Sequence, residues 1–217
     1  MRKILLVLFL LYGFAVQAQP KLKGSLESFV ANNRVYPQYS LQNCIQGTVT
    51  ISFKLNKTGE VYYSKISKGV GTDLDDEALR LIRMSSGKWI MPAGHDTTVS
   101  IIAPIRFSIA SEDCGNRSRE QIAQAIQAYR SNEGLTNAVL NFYKNKEQGK
   151  PFTKDEAVKI KALKATLGYD NEYFNQRIAA GMKKLKQKDK QGACEDFMFV
   201  KHMGSDLADE ALAKYCN

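Results

Sequence analysis

Residues 97–109 read TTVSIIAPIRFSI. Val99, Ile101, Ala103, Ile105, Phe107 and Ile109 share one parity, and Ser100, Ile102, Pro104, Arg106 and Ser108 take the other, the alternation of a strand with one buried face. A proline in the middle restricts where that strand can lie. Proline has no N–H to donate, so Pro104 belongs on an edge strand with its nitrogen turned away from the neighbouring strand. An edge leaves a row of backbone donors and acceptors open. The reading therefore places an open edge along Ser100, Ile102, Pro104, Arg106 and Ser108.

Upstream, GTVTISFKLNKTGEVYYSKIS (47–67) holds two more strands. Val49, Ile51, Phe53 and Leu55 alternate strictly with Thr48, Thr50, Ser52 and Lys54, and Asn56–Gly59 supplies turn chemistry. The returning strand, Val61–Ser67, is less cleanly patterned, with polar Ser64 and Lys65. Asp73 is expected to cap a helix with Asp76 as its return partner, and Leu74, Ala78, Leu81 and Ile82 share its apolar face. The cluster Asp73, Asp75, Asp76 and Glu77 invites a metal or acid–base reading. Carboxylates at the positive end of a helix dipole explain it adequately.

Strand, helix, strand is a crossover, so the third strand runs antiparallel to the first. It can lie beside the second strand or beside the first. The latter makes an all-antiparallel sheet with the first strand central, order 2-1-3, and puts Pro104 on an edge. Cys44 precedes the first strand and Cys114 follows the third, so this order brings both to one end of the sheet. Four cysteines allow three pairings, between which sequence alone does not choose, and this placement makes a Cys44–Cys114 bridge geometrically feasible.

These segments resemble a known family. YPQYSLQNCIQGTVTISFKLNKTGEV, GVGTDLDDEALRLIR, KWIMPAG and APIRFSI, between Val35 and Ile109, are similar to the C-terminal domain of TonB proteins. The resemblance rests on Tyr36-Pro37, Gly47, Gly59, Asp75-Glu77-Ala78-Leu79, Trp89 with Pro92, and Pro104-Ile105-Arg106-Phe107. It implies a two-helix, three-stranded periplasmic domain. Such a domain grips a short peptide of an outer-membrane transporter by adding it beside the last strand. Strand addition of this kind draws affinity from the main chain and specificity from alternate side chains. Only Pro20 and Pro37 precede the sheet, so the long Pro-rich spacer of the energy transducers is missing.

After Cys114 the patterning is helical. Ser118 with Gln121, and Thr153 with Glu156, form capping boxes. Leu135–Lys146 continues the first of these helices, Gly168 ends the second, and Asp170 caps another carrying Phe174, Ile178, Met182 and Leu185. Gly181, Gly192-Ala193 and Phe197 resemble a single tetratricopeptide-like unit, which cannot bury its apolar face alone. Cys194 opens one helix and Cys216 closes the next, with Gly204 and Ser205 turning between them. An antiparallel hairpin pairs the two. Lys183, Lys184, Lys186, Lys188 and Lys190 read as a solvated helix face.

The N-terminus, MRKILLVLFLLYGFAVQAQP, has two basic residues, an uncharged run from Ile4 to Ala18, and Val16 and Ala18 placed for signal-peptidase cleavage near Gln19. A spanning helix needs about 20 apolar residues, more than this run supplies. The expected divisions are a leader (1–18), an α+β domain (19–114) and an all-α domain ending in a helical hairpin (115–217). The chain has 31 Lys and Arg against 22 Asp and Glu, a net charge of +9. That excess is spread over both halves and does not indicate nucleic acid.

Catalytic chemistry is not legible. His95 and His202 stand alone, GVG lacks a phosphate-reaching lysine, and no zinc spacing occurs. Trp89 is expected in the core. No cofactor is expected. The sequence thus predicts an exported, periplasmic or secreted non-enzymatic protein that docks a protein or peptide partner, such as an outer-membrane transporter segment. Membrane association would come only through that partner or a retained N-terminal anchor. The anchored alternative is a TonB-type energy transducer. A further alternative is an assembly protein pairing with itself through the edge.

Overall fold

A computed structural model describes residues 19–110 and 112–216. The leader reading at residues 1–18 lies outside the described residues. The chain opens with β1 (Lys21–Leu22), α1 (Leu26–Asn33) and α2 (Gln38–Gln42), followed by β2 (Gly47–Leu55), β3 (Val61–Lys68) and α3 (Asp73–Met84). Two further strands, β4 (Trp89–Ile90) and β5 (Ile101–Phe107), complete the sheet-bearing half.

The main sheet is antiparallel, in the order β3-β2-β5, and β1 pairs with β4 in a separate two-stranded sheet. Strict alternation explains why β2 is central. Val49, Ile51, Phe53 and Leu55 are fully buried on one face, against Leu74, Ala78, Leu81 and Ile82 of α3. At the β2–β3 turn, Asn56 Oδ1 accepts from the N–H groups of Thr58 (3.0 Å) and Glu60 (2.9 Å). Gly59 there has φ +78°, and a Cβ at that position would lie 2.4 Å from the Trp89 carbonyl oxygen. Glycine meets both demands.

The acidic first turn of α3 differs from the expected cap. Thr72 is the N-cap and its side chain makes no capping bond. The carboxylates instead tie α3 to other segments. Asp73 accepts from the Tyr39 N–H (3.1 Å) and the Ser40 hydroxyl, and Asp75 from the N–H groups of Val70 (2.8 Å) and Gly71 (2.9 Å). Glu77 accepts from the Val35 N–H at 2.9 Å. Fixing long connections outweighs local capping here. Trp89 is a core residue, with its ring 5.2 Å from that of Phe53 and its Nε1–H donated to Ser85 Oγ at 2.8 Å.

Five helices follow: α4 (Arg119–Glu147), α5 (Lys154–Thr166), α6 (Asn171–Lys186), α7 (Lys190–His202) and α8 (Asp209–Tyr215). Both capping boxes form, and Asp170 caps α6 through the Tyr173 N–H. A second core gathers Val139, Phe174, Ala193, Phe197, Val200 and Met203. Helix α7 begins at Lys190, so Cys194 sits one turn inside it rather than at its start. Lys184 also departs from the solvated-face reading. Its ammonium lies 2.7 Å from buried Asp196, which Arg177 contacts from another side, also at 2.7 Å. A buried carboxylate needs such partners.

Both expected disulfides are present: Cys44–Cys114 with Cα atoms 5.4 Å apart, and Cys194–Cys216 at 5.7 Å.

Candidate functional site

Strand β5 pairs with β2 through Gly47↔Phe107, Thr48↔Arg106, Val49↔Ile105, Thr50↔Pro104, Ile51↔Ala103, Ser52↔Ile102 and Phe53↔Ile101. Antiparallel ladders alternate between pairs that exchange both backbone bonds and pairs that exchange none. Pro104 cannot donate, so Thr50↔Pro104 belongs to the non-bonded set, and Ile102 and Arg106 share its parity. The in-plane groups of these three residues therefore turn away from β2. Ala103, Ile105 and Phe107 bond to β2 and bury their side chains at 1–2% exposure, whereas Ile102 is 57% exposed. Among the described residues, no strand pairs with the outer side of β5.

The strand is shorter than the alternation suggests. Asp96 accepts from the Thr98 N–H (2.8 Å) and hydroxyl (2.7 Å), and this turn holds the chain before Ile101 out of the sheet. Ser100 and Ser108 thus flank the ladder, while Ile102, Pro104 and Arg106 lie within it. At one end, the Arg34 guanidinium donates to the Arg106 carbonyl at 3.2 Å. The groups left open are the N–H and C=O of Ile102, the C=O of Pro104 and the N–H of Arg106. Tyr36, two residues on from Arg34, packs edge-on against Phe107 at 5.9 Å and donates to the Ile45 carbonyl at 2.7 Å. Burial pushes its pKa up to about 12.

The opposite edge is bridged at its middle. The backbone N–H and C=O of Ser64 turn outward from β3, and the Gln191 side chain of α7 meets both. Gln191 Oε1 accepts the Ser64 N–H at 2.8 Å, and Nε2 donates to the Ser64 carbonyl at 2.8 Å. Arg83 of α3, buried at 8% exposure, donates to Ser64 Oγ at 2.9 Å and forks onto Glu195 of α7 through two 2.8 Å bonds. No pattern within β3 signals this cover, because Gln191 and Glu195 lie more than a hundred residues away.

The sheet thus has one edge bridged by α7 at Ser64 and one open, proline-marked edge. Residues 32–109 match the family model of the Gram-negative bacterial TonB protein C-terminal domain, and this part of the chain is a domain of that family. A relative, Protein TonB of Pasteurella multocida (strain Pm70), is 31% identical over 90 residues, which are 41% of this chain. The chain spans about a third of that relative's length, 34%. No solved structure matches the chain.

Proposed function

We propose that this protein is an exported cell-envelope binding module that captures an extended peptide, such as a segment of an outer-membrane transporter, by strand addition to β5. The observation that carries the reading is the asymmetry of the two sheet edges. One is bridged at Ser64 by Gln191, and the other presents unpaired main-chain groups at Ile102, Pro104 and Arg106. Ser100 and Ser108 extend the contact at either end. Residues 19–114 form the docking domain, residues 115–217 an appended helical domain, and residues 1–18 a cleaved leader. The reaction is binding, without catalysis.

Pull-down from the native envelope tests this with the wild type and Ile102→Pro. The Ile102 N–H does not bond to β2, so the variant keeps the ladder and loses an outward donor. Recovery of an outer-membrane transporter by the wild type, and its loss with a folded Ile102→Pro protein, is the expected result. Undiminished capture by that variant overturns the reading. A second reading is an energy transducer that retains the uncharged run Ile4–Ala18 as an anchor. N-terminal sequencing of the mature protein separates the two, a start at Gln19 supporting the exported module.

A further inference from the structure

A groove of about 610 Å³ runs beside the start of β5, bounded on one side by Pro20–Leu26 and on the other by Ile101–Ala103. Phe53 and Trp89 form its floor. A second cleft of about 640 Å³ shares Pro20, Ile101 and Ile102 with it and continues toward His95. The wall opposite β5 is itself a strand. In the β1–β4 ladder, Lys21 pairs with Ile90 and Leu22 with Trp89, and the Lys23 N–H donates to the Lys88 carbonyl at 3.2 Å. Lys23 therefore belongs to the bonded set and, two residues away, so does Lys21. Leu22 falls between them, and its N–H and C=O turn away from β4. The groove is lined by both Leu22 and Ile102, each with backbone groups directed away from its own ladder partner.

We infer that β1 is the second wall of the docking edge: the visiting peptide inserts between Leu22 and Ile102 and joins the two sheets in the order β4-β1-peptide-β5-β2-β3. The inference rests on the strand-addition reading and adds its other half. An extended main chain carries donors and acceptors on both of its edges and so complements a groove with a strand edge on each wall. Side chains of the visitor alternate between faces. Those beside the residue opposite Ile102 point to the core side, over Phe53, Trp89 and Leu22, which selects a bulky apolar residue there. Exposed Lys21 and Lys23 stand on the β1 wall and favour a carboxylate on the flanking visitor residue. The occupant is thus an extended peptide with an apolar anchor beside an acidic residue.

The test uses a random heptapeptide library displayed on phage and selected on the purified full chain. Amide hydrogen exchange is then measured with and without the selected peptide. The expected result is that the Leu22 and Ile102 amides both slow by about tenfold or more on binding. Slowing at Ile102 with no change at Leu22 overturns the second wall and leaves strand addition standing. Binding that slows neither amide, slowing at Leu22 alone, or a library that yields no binder overturns both readings. Leu22 protection that depends on protein concentration and appears without peptide also overturns the inference, by making a second copy of the chain the occupant.

Discussion

Ser64 stands on the core-facing side of β3, opposite fully buried Phe53, where alternation requires an apolar side chain. It is a serine because its surroundings are polar: Arg83 reaches its hydroxyl, and Gln191 its backbone. Asp189, beside the same junction, has a similar history. It caps α7 by accepting the Gly192 N–H at 2.7 Å and is 9% exposed, with Arg83 Nε 3.9 Å away. Burial raises its pKa, and the Gly192 N–H and Arg83 oppose that only in part. A carboxyl with a folded-state pKa above its unfolded value is disfavoured in its charged form. The penalty is absent below the unfolded pKa, about 3.9, and grows as pH rises through the folded value. Asp189→Asn keeps the capping oxygen and removes the charge. The variant should therefore have the higher urea midpoint at pH 7, and the difference should vanish near pH 4. A lower midpoint for the variant at pH 7 contradicts the argument.

Strands β2 and β5 could be read from sequence because their determinants are local: strict alternation in one, and a proline whose missing donor fixes its place in the other. The sheet order followed, since only one of the two orders gave both an edge for Pro104 and proximity for Cys44 and Cys114. Helices α4, α5 and α6 were equally legible through Ser118, Thr153 and Asp170, whose caps act over three residues. What escaped was contact between distant segments. The carboxylates of α3 accept from backbone groups outside the helix, at Val35, Tyr39 and Val70, and Lys184 turns inward to Asp196. The N-terminal wall of the groove depends on β1, a strand of two residues that has no period to detect. The packing of α6 against α7 is sharper than pattern alone conveys. A Cβ on Gly181 would lie 2.5 Å from the Phe197 ring, which is fully buried. Gly181→Ala gains helix propensity but forces these helices apart, and overpacking of this kind costs about 1–3 kcal/mol. Guanidinium titration followed by tyrosine fluorescence should show that loss. The Trp89 signal, which reports the sheet, should move less.

Taken together, the two halves divide the sheet between them. Helix α7 lies on β3, held by the Arg83–Glu195 fork and the Gln191 amide, and α4 joins the first half through Tyr39 of α2, whose hydroxyl donates to the Ala125 carbonyl at 2.7 Å. Exposed sheet edges template association with other chains, so a protein that keeps one edge open for a visitor gains specificity by closing the other. On the proposed strand-addition reading, the helical half has a role that requires no second ligand: it restricts pairing to β5. The double variant Arg83→Ala/Gln191→Ala removes the fork and both side-chain bonds to the Ser64 backbone. Breaking a buried ion pair costs about 3–5 kcal/mol, with the lower end appropriate because Glu195 is half exposed. The second core and the Cys194–Cys216 bridge hold α7 within its own bundle, so the loss should appear as undocking from β3 and not as collapse of the helices. Two measurements check this. Exchange of the Ser64 amide should accelerate, and sedimentation should reveal a concentration-dependent dimer formed through the uncovered β3 edge. That dimer should persist when Ile102→Pro is added, because the added proline alters only β5. A double variant that stays monomeric at high concentration, with a fast-exchanging Ser64 amide, shows that the cover is not what keeps the β3 edge from pairing.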